Sequence, residues 1–377
     1  MTMKKDPFKE YIKQTEPGKK ERGYAWHTAI GLQAVDGLTP SKYLVETALQ
    51  NIEGEITIEQ AQELLNSYYE EKPKTEDDDR TEEADKVAVR IAKLLSEMAF
   101  SFTTTEYLSI HKKLFTGIYS HAGKIRDYNI TKKEWVLDGA TVMYGSASEL
   151  YATLEYDLSQ ERSFNYKGLA MEEIIHHLAV FISRLWQIHV FAEGNTRTTA
   201  VFFIKYLRTL GFEATNDIFA ENAWYFRNAL VRANFNDLKN GIYETTEFLE
   251  LFLKNLLMDE KNELHNRYMH ISGKFVENEK QDIENEKQDI ENKKQDISAD
   301  STLNSKLLRI DFSNKTVRNI RKLYTEFGYK VIFGRADVMH VLNITPSPAS
   351  ELIKKMLQAG IITAVNGKGK GKYLFKE

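Results

Sequence analysis

The feature that most constrains this chain is a series of apolar periodicities between residues 86 and 270. Six segments place apolar residues three or four positions apart, which is the spacing of one face of an α-helix. These segments are VAVRIAKLLSEMAF, EYLSIHKKLFTGIY, MEEIIHHLAVFISRLWQI, TAVFFIKYLRTLGF, WYFRNALVRANF and TTEFLELFLKNLL. The pattern predicts a mainly α fold built on a helical bundle. One interruption, KEWVLDGATVMYG (133–145), contains the Asp-Gly pair typical of a β-hairpin turn.

Residues 1–75 predict an N-terminal helical module. A first helix is expected to stop at Asp36-Gly37, because glycine readily ends a helix. Ser41 and Thr57 each precede a further helical pattern and can cap it with a hydroxyl oxygen. We therefore expect three short helices ahead of the main bundle.

The main bundle is predicted to occupy residues 76–270, and a repetitive piece follows at 271–303. That piece contains ENEKQDI-ENEKQDI-ENKKQDI, a seven-residue repeat with one apolar residue per heptad. A stable coiled coil has two apolar positions per heptad, so a dimerising zipper is the weaker interpretation. The repeat predicts a linker that is helical or partly disordered.

Residues 304–377 predict a small basic domain. Residues 301–377 contain 14 Lys and Arg against 5 Asp and Glu, a balance of +9. The pattern of helix, short strand, two helices and two strands around a Gly/Lys turn resembles a winged helix. Lysines at the expected wing tip can contact phosphates, so DNA is one predicted partner and a docking protein is the equal alternative. These lysines are Lys368, Lys370 and Lys372.

Composition excludes several classes of protein. The 377 residues carry a net charge of −4, so the chain as a whole is not a polyanion binder. It has no cysteine, which excludes disulfides, thiolate nucleophiles and cysteine zinc sites. No apolar run reaches membrane-span length, and the N-terminus lacks an apolar signal core. These features predict a cytoplasmic protein with no membrane partner.

The stretch HVFAEGNTRT (189–198) carries the predicted chemistry. A turn that leads into a helix presents several backbone N–H groups to an anion, and Arg197 adds a bidentate fork. Glu193 can hold Mg²⁺, which prefers one or two carboxylates together with phosphate oxygens. His189 is a plausible general base for a hydroxyl. The residues therefore predict a nucleotide phosphate site with its own base.

Two other interpretations of this stretch stay open. A histidine at a helix end followed by Gly-Asn is often only a structural turn. A metal site is also conceivable, with His176, His177, His189 and Glu193 as ligands. Adjacent histidines on a helix point about 100° apart, which disfavours the metal site.

The same stretch resembles the signature of Fic-domain proteins, H-x-F-x-(D/E)-G-N-x-R. Upstream, IHKKLFTGIYSHAGKIRDYNI (110–130) resembles the segment before the family's substrate flap, and 133–145 falls where that flap belongs. The resemblance covers roughly residues 86–260. It implies a Fic helical bundle with a β-hairpin flap. It also implies protein adenylyltransferase activity, in which AMP passes from ATP to a Ser, Thr or Tyr hydroxyl of a target protein.

Site roles follow from this resemblance. His189 would be the catalytic base, Glu193 would hold Mg²⁺, and Phe191 would anchor the loop in the core. The residues implied to bind the nucleotide are Gly194, Asn195, Thr196, Arg197, Tyr225 and Asn228. In this assignment Asn195 contacts the α-phosphate and Arg197 the β-phosphate.

Two departures from the family pattern concern donor and regulation. Ala200 stands where the signature usually has a second arginine, which leaves the identity of the donor nucleotide open. The N-terminal stretch 31–57 resembles an antitoxin-like inhibitory module, with Asp36 in place of its glutamate. Because that glutamate usually pairs with the second arginine, Asp36 is expected to lack its partner and to have little effect.

Two functions are therefore compared. The leading one is a Mg²⁺-dependent protein adenylyltransferase. The alternative is a regulatory protein that holds a nucleotide with little turnover and binds DNA or a partner through 304–377. Assembly into a homo-oligomer is compatible with either function.

Overall fold

The structure is a computed structural model that describes residues 17–71, 78–212, 214, 218–272, 314–329, 331–342, 344–365 and 371–376. These residues fall into two compact units, divided at residue 285. Each unit has its own apolar core.

The first helix ends beside the place where the bundle later forms its site. Helix α1 (Pro17–Gly31) continues into a 3₁₀ segment, Leu32–Asp36, which stops at Gly37 in the left-handed conformation as predicted. Gly31 marks a close approach, since a Cβ atom there would lie 2.4 Å from the Cα of Ala220. A larger residue at position 31 would separate α1 from the bundle.

Two capped helices follow, in agreement with the sequence. Helix α2 (Lys42–Glu53) begins after Ser41, whose hydroxyl accepts a backbone N–H three residues later at 3.0 Å. Helix α3 (Ile58–Glu71) begins after Thr57, which accepts an N–H at 3.2 Å in the same way. These bonds satisfy donors that a helix N-terminus otherwise leaves without a partner.

All six periodic segments form helices, so the predicted mainly α fold is confirmed. The bundle helices are α4 (Asp78–Ser96), α5 (Thr104–Phe115), α6 (Leu150–Ser163), α7 (Met171–Ile188), α8 (Asn195–Thr209), α9 (Ile218–Glu221), α10 (Ala223–Arg232) and α11 (Glu247–Met258). Helix α8 is central, because every residue from Asn195 to Leu207 is buried. Helix α6 was not predicted from the sequence; its apolar face consists of three leucines four residues apart.

The N-terminal helices and the bundle share one core. Helix α1 packs along α4, and the buried Trp26 of α1 donates its indole N–H to Asn51 at 2.9 Å. The expected boundary at residue 75 lies outside the described residues. A separate N-terminal module therefore stays a prediction, within one compact unit.

The prediction of a β-hairpin at 133–145 is corrected by the structure. All residues of this segment are described, and they form a loop without strands. The chain does turn at Asp138-Gly139, where φ is 52° and 83°. Its first arm instead contains one turn of 3₁₀ helix, Trp135–Leu137. The side chains of this arm, with Glu134 at its start, are largely buried against the bundle. A backbone hydrogen bond still joins the two arms, from the N–H of Glu134 to the carbonyl of Ala140 at 2.9 Å.

The C-terminal unit has the predicted order of elements. These are α12 (Asn314–Phe327), β1 (Phe333–Gly334), α13 (Arg335–Leu342), α14 (Pro346–Gln358), β2 (Ile362–Ala364) and β3 (Lys372–Phe375). The three strands form an antiparallel sheet in the order β1-β3-β2. Lys372 lies on β3, 3.8 Å from Asp337, whereas Lys368 and Lys370 lie outside the described residues. Assignment as a winged helix stays a prediction.

Two further expectations concern the whole chain. Apart from residues 271 and 272, the heptad-repeat linker lies outside the described residues. Among the residues that the structure does describe, no helix is both long and apolar enough to cross a membrane.

Candidate active site

A short loop between α7 and α8 forms the predicted turn into a helix N-terminus. His189 ends α7 in the left-handed conformation, with φ of 51°, and Gly194 precedes α8 with φ of 74°. Gly194 is required sterically, since a Cβ atom there would lie 2.4 Å from the ring of Phe115. The first bond of the α8 ladder runs from the N–H of Thr198 to the carbonyl of Gly194. The three N–H groups before it are therefore available to an anion.

His189 lies at the start of this loop and is buried, with 5% of its surface exposed. Its ring packs against Tyr144 at 4.4 Å and against Trp186 at 5.3 Å, measured between centroids. Its Nδ1 atom has no hydrogen-bond partner among the described residues. Burial, followed by the charges of Lys132 and Arg126, lowers the pKa of His189 well below its ordinary value. A neutral imidazole of this kind can accept a proton at neutral pH.

Arg126 holds the backbone of His189 in place, a contact that the sequence analysis did not predict. Its Nε donates to the carbonyl of His189 at 2.7 Å, and one terminal nitrogen donates to Gly145 at 2.6 Å. Its own backbone N–H donates to Val190 at 2.9 Å. One buried guanidinium thus joins the end of loop 133–145 to the strained residue that carries the base. The only sequence signal was its place in the segment 110–130.

Phe191 and Asn195 fix the shape of the loop. Phe191 is fully buried and stacks on His111 at 3.7 Å, as the predicted core anchor requires. The amide of Asn195 accepts the N–H of Phe191 at 3.0 Å and donates to its carbonyl at 2.8 Å. Thr196 accepts the indole N–H of Trp186 at 3.0 Å. The Asn195 side chain is therefore used within the loop, and its contact with an α-phosphate stays a prediction.

Glu193 is half-buried at the open side of the loop. Its carboxylate lies 3.3 Å from the ammonium of Lys132. The backbone carbonyl of Glu193 contacts Nε2 of His111 at 3.0 Å, while Gly123 donates its N–H to Nδ1 at 2.8 Å. His111 is consequently neutral with the proton on Nε2, and burial lowers its pKa to about 3.

The residues around Glu193 fit a divalent cation only in part. No group of three or more His, Asp or Glu side chains converges among the described residues. Mg²⁺ prefers one or two carboxylates and takes its other oxygens from phosphates and water. One carboxylate beside an anion site therefore fits Mg²⁺ that arrives with a nucleotide.

The histidine cluster of the alternative metal site does not form. His176 contacts Glu250 at 2.7 Å, and His177 contacts Glu161 at 2.7 Å. Both partners are carboxylates of other helices. Neither contact includes His189.

Arg197 is enclosed by acidic and polar groups from two elements and by an aromatic ring from a third. Its Nε lies 2.7 Å from the carboxylate of Asp36, which ends the 3₁₀ segment. Its terminal nitrogens donate to Gln33 at 3.0 Å and to Glu83 of α4 at 2.6 Å. Its guanidinium also lies over the ring of Phe115 at 4.8 Å. Burial alone lowers the pKa of Arg197, but the carboxylates of Asp36 and Glu83 raise it above its ordinary value.

This pairing corrects the expectation that Asp36 lacks a partner. The carboxylate meets the first arginine of the signature, one helical turn before Ala200. Ala200 itself is fully buried within α8. The 3₁₀ segment directs Asp36 to the first turn of α8, where Arg197 is within reach.

Tyr225 and Asn228, both on α10, are buried. The hydroxyl of Tyr225 donates to the carbonyl of Phe248 at 3.2 Å, so this side chain is tied to the core. The amide nitrogen of Asn228 donates to Asn266 at 2.8 Å, and its Oδ1 has no partner among the described residues. Their roles in a nucleotide pocket stay predictions, and Asn228 keeps a free acceptor for that purpose.

Between these two residues, Arg227 forms a contact that the sequence did not indicate. Its terminal nitrogens donate to both oxygens of Glu134, at 2.6 and 3.0 Å. The hydroxyl of Tyr144 donates to the same carboxylate at 3.0 Å, and the Tyr144 ring packs on His189. Helix α10, loop 133–145 and the candidate base are thus connected.

Comparison with known proteins concerns the part of the chain that contains His189 and Arg197. Residues 101–207 match the model of the Fic/DOC family, so this region contains a Fic domain. A curated relative, the protein adenylyltransferase VbhT of Bartonella schoenbuchensis, is 32% identical over 104 residues. The aligned part is 27% of this chain and 20% of the relative, so the chain matches about a fifth of that protein's length.

Proposed function

We propose that this chain transfers AMP from ATP to a hydroxyl side chain of a protein. One observation carries the proposal: a short loop connects the buried, neutral His189 to the N-terminus of α8. A base and an anion site at that separation serve attack of a hydroxyl on a phosphorus atom. The Fic/DOC match and the relative named as an adenylyltransferase support the choice of AMP transfer.

In the proposed reaction His189 takes the proton of the target hydroxyl. The hydroxyl oxygen forms a bond to the α-phosphorus, and the bond to the bridging oxygen of pyrophosphate breaks. The N–H groups that begin α8 stabilise negative charge on the phosphate oxygens. Glu193 would hold Mg²⁺, which neutralises phosphate charge when bound. Arg126 keeps His189 in its left-handed conformation during the transfer.

The target segment is proposed to lie along loop 133–145. Tyr144 of this loop contacts the ring of His189, so a segment bound there would present its hydroxyl near the base. Met143 beside it is 85% exposed. Main-chain pairing with the loop would orient a hydroxyl without demanding much target sequence.

A second candidate is a nucleotide-holding regulator with little turnover. The enclosure of Arg197 by Asp36, Gln33 and Glu83 favours it, because a nucleotide whose phosphates do not reach Arg197 would bind without being aligned for transfer. Residues 304–377 would then act on DNA or on a partner protein. Under this function the site binds ATP but leaves no label on protein.

A labelling experiment distinguishes the two. The protein is incubated with Mg²⁺, a lysate and ATP labelled on either the α- or the γ-phosphate. AMP transfer leaves only the α-label on protein, and His189→Ala slows this labelling by roughly 10²- to 10⁴-fold. His176→Ala is the matched control, since His176 lies on the same helix and contacts Glu250 instead. Retention of the γ-label instead of the α-label would contradict AMP transfer.

A further inference from the structure

Helix α8 offers one guanidinium to a phosphate chain, and its next turn offers none. Position 200, one turn after Arg197, is an alanine with no exposed surface. The residues from Thr198 to Leu207 are likewise buried. A donor with several phosphates therefore needs a cation from another element.

Arg227 on α10 is a cation that the fold directs toward this place, in addition to Lys132, which pairs with Glu193 at 3.3 Å. Its guanidinium is held by two hydrogen bonds to Glu134, and only 13% of its side chain is exposed. Helix α10 packs against the 3₁₀ segment that ends at Asp36. Through Glu134 and Tyr144, Arg227 is also connected to the ring of His189.

Asp36 marks the position where an anion is favourable. Its carboxylate contacts Arg197 at 2.7 Å. Burial alone lowers the pKa of Arg227, but the carboxylate of Glu134 and, with a smaller effect, that of Asp36 raise it above its ordinary value. Burial lowers the pKa of His189, and the charges of Lys132, Arg126 and, with a smaller effect, Arg227 act in the same direction. A negative group that displaced Asp36 would therefore lie within the field of two guanidiniums beside the base.

The ion pair with Glu134 holds the Arg227 guanidinium in a position where a phosphate could replace the carboxylate. A phosphate that took the place of Glu134 would keep Arg227 paired, so the buried guanidinium would not be left without an anion. A guanidinium fork binds carboxylate and phosphate with the same bidentate geometry. An incoming phosphate can thus replace Glu134 without a new arrangement of the arginine.

We propose that Arg227 is the second phosphate-contacting arginine of this site. Together with Arg197 it binds the phosphate chain of a nucleoside triphosphate, and Glu134 is its partner when no donor is bound. The inference rests on the proposed function, because it names the contact that selects a triphosphate donor.

The test measures binding, which keeps it separate from AMP transfer. Affinities of the full chain for ATP, ADP and AMP are determined by calorimetry, in the wild-type and Asp36→Asn backgrounds. Arg227→Gln is expected to weaken ATP about 10- to 100-fold, the effect of losing charge-assisted hydrogen bonds, and AMP less than about 3-fold. Arg232→Gln is the matched control, because this arginine of α10 donates to the carbonyl of Tyr243 instead.

Glu134→Gln provides a second test, in which the affinity for ATP is expected to increase instead of decrease. Removing the competing carboxylate should raise the affinity for ATP several-fold, which a merely destabilised protein would not do. The proposal is overturned if Arg227→Gln keeps the wild-type ratio of ATP to AMP affinity. It is also overturned if neither background binds any of the three nucleotides. An ATP preference that depends on Arg227 without α-label on protein would leave this inference intact and contradict AMP transfer.

Discussion

The carboxylate of Asp36 lies 2.7 Å from Nε of Arg197, in an ion pair that joins the N-terminal helices to the first turn of α8. Gln33 and Glu83 complete the enclosure of the guanidinium. Arg197 would serve the phosphate chain in the proposed reaction, so the same side chain has two competing sets of partners. Donor affinity should therefore depend on how strongly the N-terminal helices hold it.

Asp36→Asn is expected to increase donor affinity and the rate of labelling. The substitution removes the charge that competes with phosphate but keeps the size of the side chain. An increase of roughly 5- to 150-fold corresponds to a coupling of about 1–3 kcal/mol. Affinity is measured by calorimetry with ATP, and rate with α-labelled ATP.

The control for this prediction is Glu53→Gln, which removes a carboxylate that pairs with Lys19 on the surface of the same helices. It should leave both quantities unchanged. If Asp36→Asn has no effect, then Glu83 and Gln33 alone determine the state of Arg197, and the regulatory role of Asp36 is wrong.

His189→Ala is expected to reduce the transfer rate by roughly 10²- to 10⁴-fold, since it removes the base. ATP affinity should stay within a few-fold, because the anion site belongs to α8. The lowered pKa of His189 adds a pH signature. The base is already neutral near pH 6.5, so the rate should be flat from about pH 6 to 8 and fall only in more acidic solution. A rate that rises with an ordinary histidine pKa would contradict the burial of this residue.

Local patterns predicted the elements of the site because they act over short distances. The six apolar periodicities specify helices, and the order from His189 to Arg197 specifies a loop that leads into a helix. Ser41 and Thr57 form their caps within three residues. In each case the interacting groups are neighbours in sequence.

The parts that were not predicted depend on pairs that are far apart in the chain. Asp36 meets Arg197, and Glu134 meets Arg227, only after the helices have packed. The same packing explains why the strands predicted for 133–145 did not form. Glu134 pairs with Arg227 of α10, and the residues that follow it are buried against the bundle. Asp36 was expected to face position 200. The 3₁₀ segment places it beside Arg197 instead, one helical turn before Ala200.

Acid should destabilise the first unit through its buried histidines. Burial lowers the pKa of His111 to about 3, and the charges of His121 and Arg197 act in the same direction. A histidine of the unfolded chain takes up a proton near pH 6.5, whereas folded His111 does not until about pH 3. Stability contributed by neutral His111 is thus present above pH 6.5 and is lost as pH falls toward 3.

The measurement is the free energy of unfolding in urea between pH 7 and 4. Each buried neutral histidine should steepen the decline by up to about 1.4 kcal/mol per pH unit. His111→Gln should make the slope shallower, because it removes the group that stays neutral in the folded state. Equal slopes for the wild type and His111→Gln would show that this histidine titrates alike in both states.

The C-terminal unit leads to a prediction of its own. It has a separate apolar core, and Lys and Arg outnumber Asp and Glu in this part of the chain. Helix α14 exposes Ser350 and Lys354 beside Lys355, which pairs with Glu351 at 3.0 Å. If α14 enters a DNA groove, a fragment covering 304–377 should bind duplex DNA at low salt. Its affinity should fall steeply up to physiological salt, as released counterions require.

Substitutions distinguish a specific surface from general positive charge. Lys354→Gln should lower the slope of log affinity against log salt by about one. Lys322→Gln, at an exposed lysine of α12, removes the same charge from another helix and should change the slope less. Replacing Lys368, Lys370 and Lys372 together tests the predicted wing. A fragment that folds but binds no DNA at low salt would exclude the DNA interpretation and favour a docking protein as the partner.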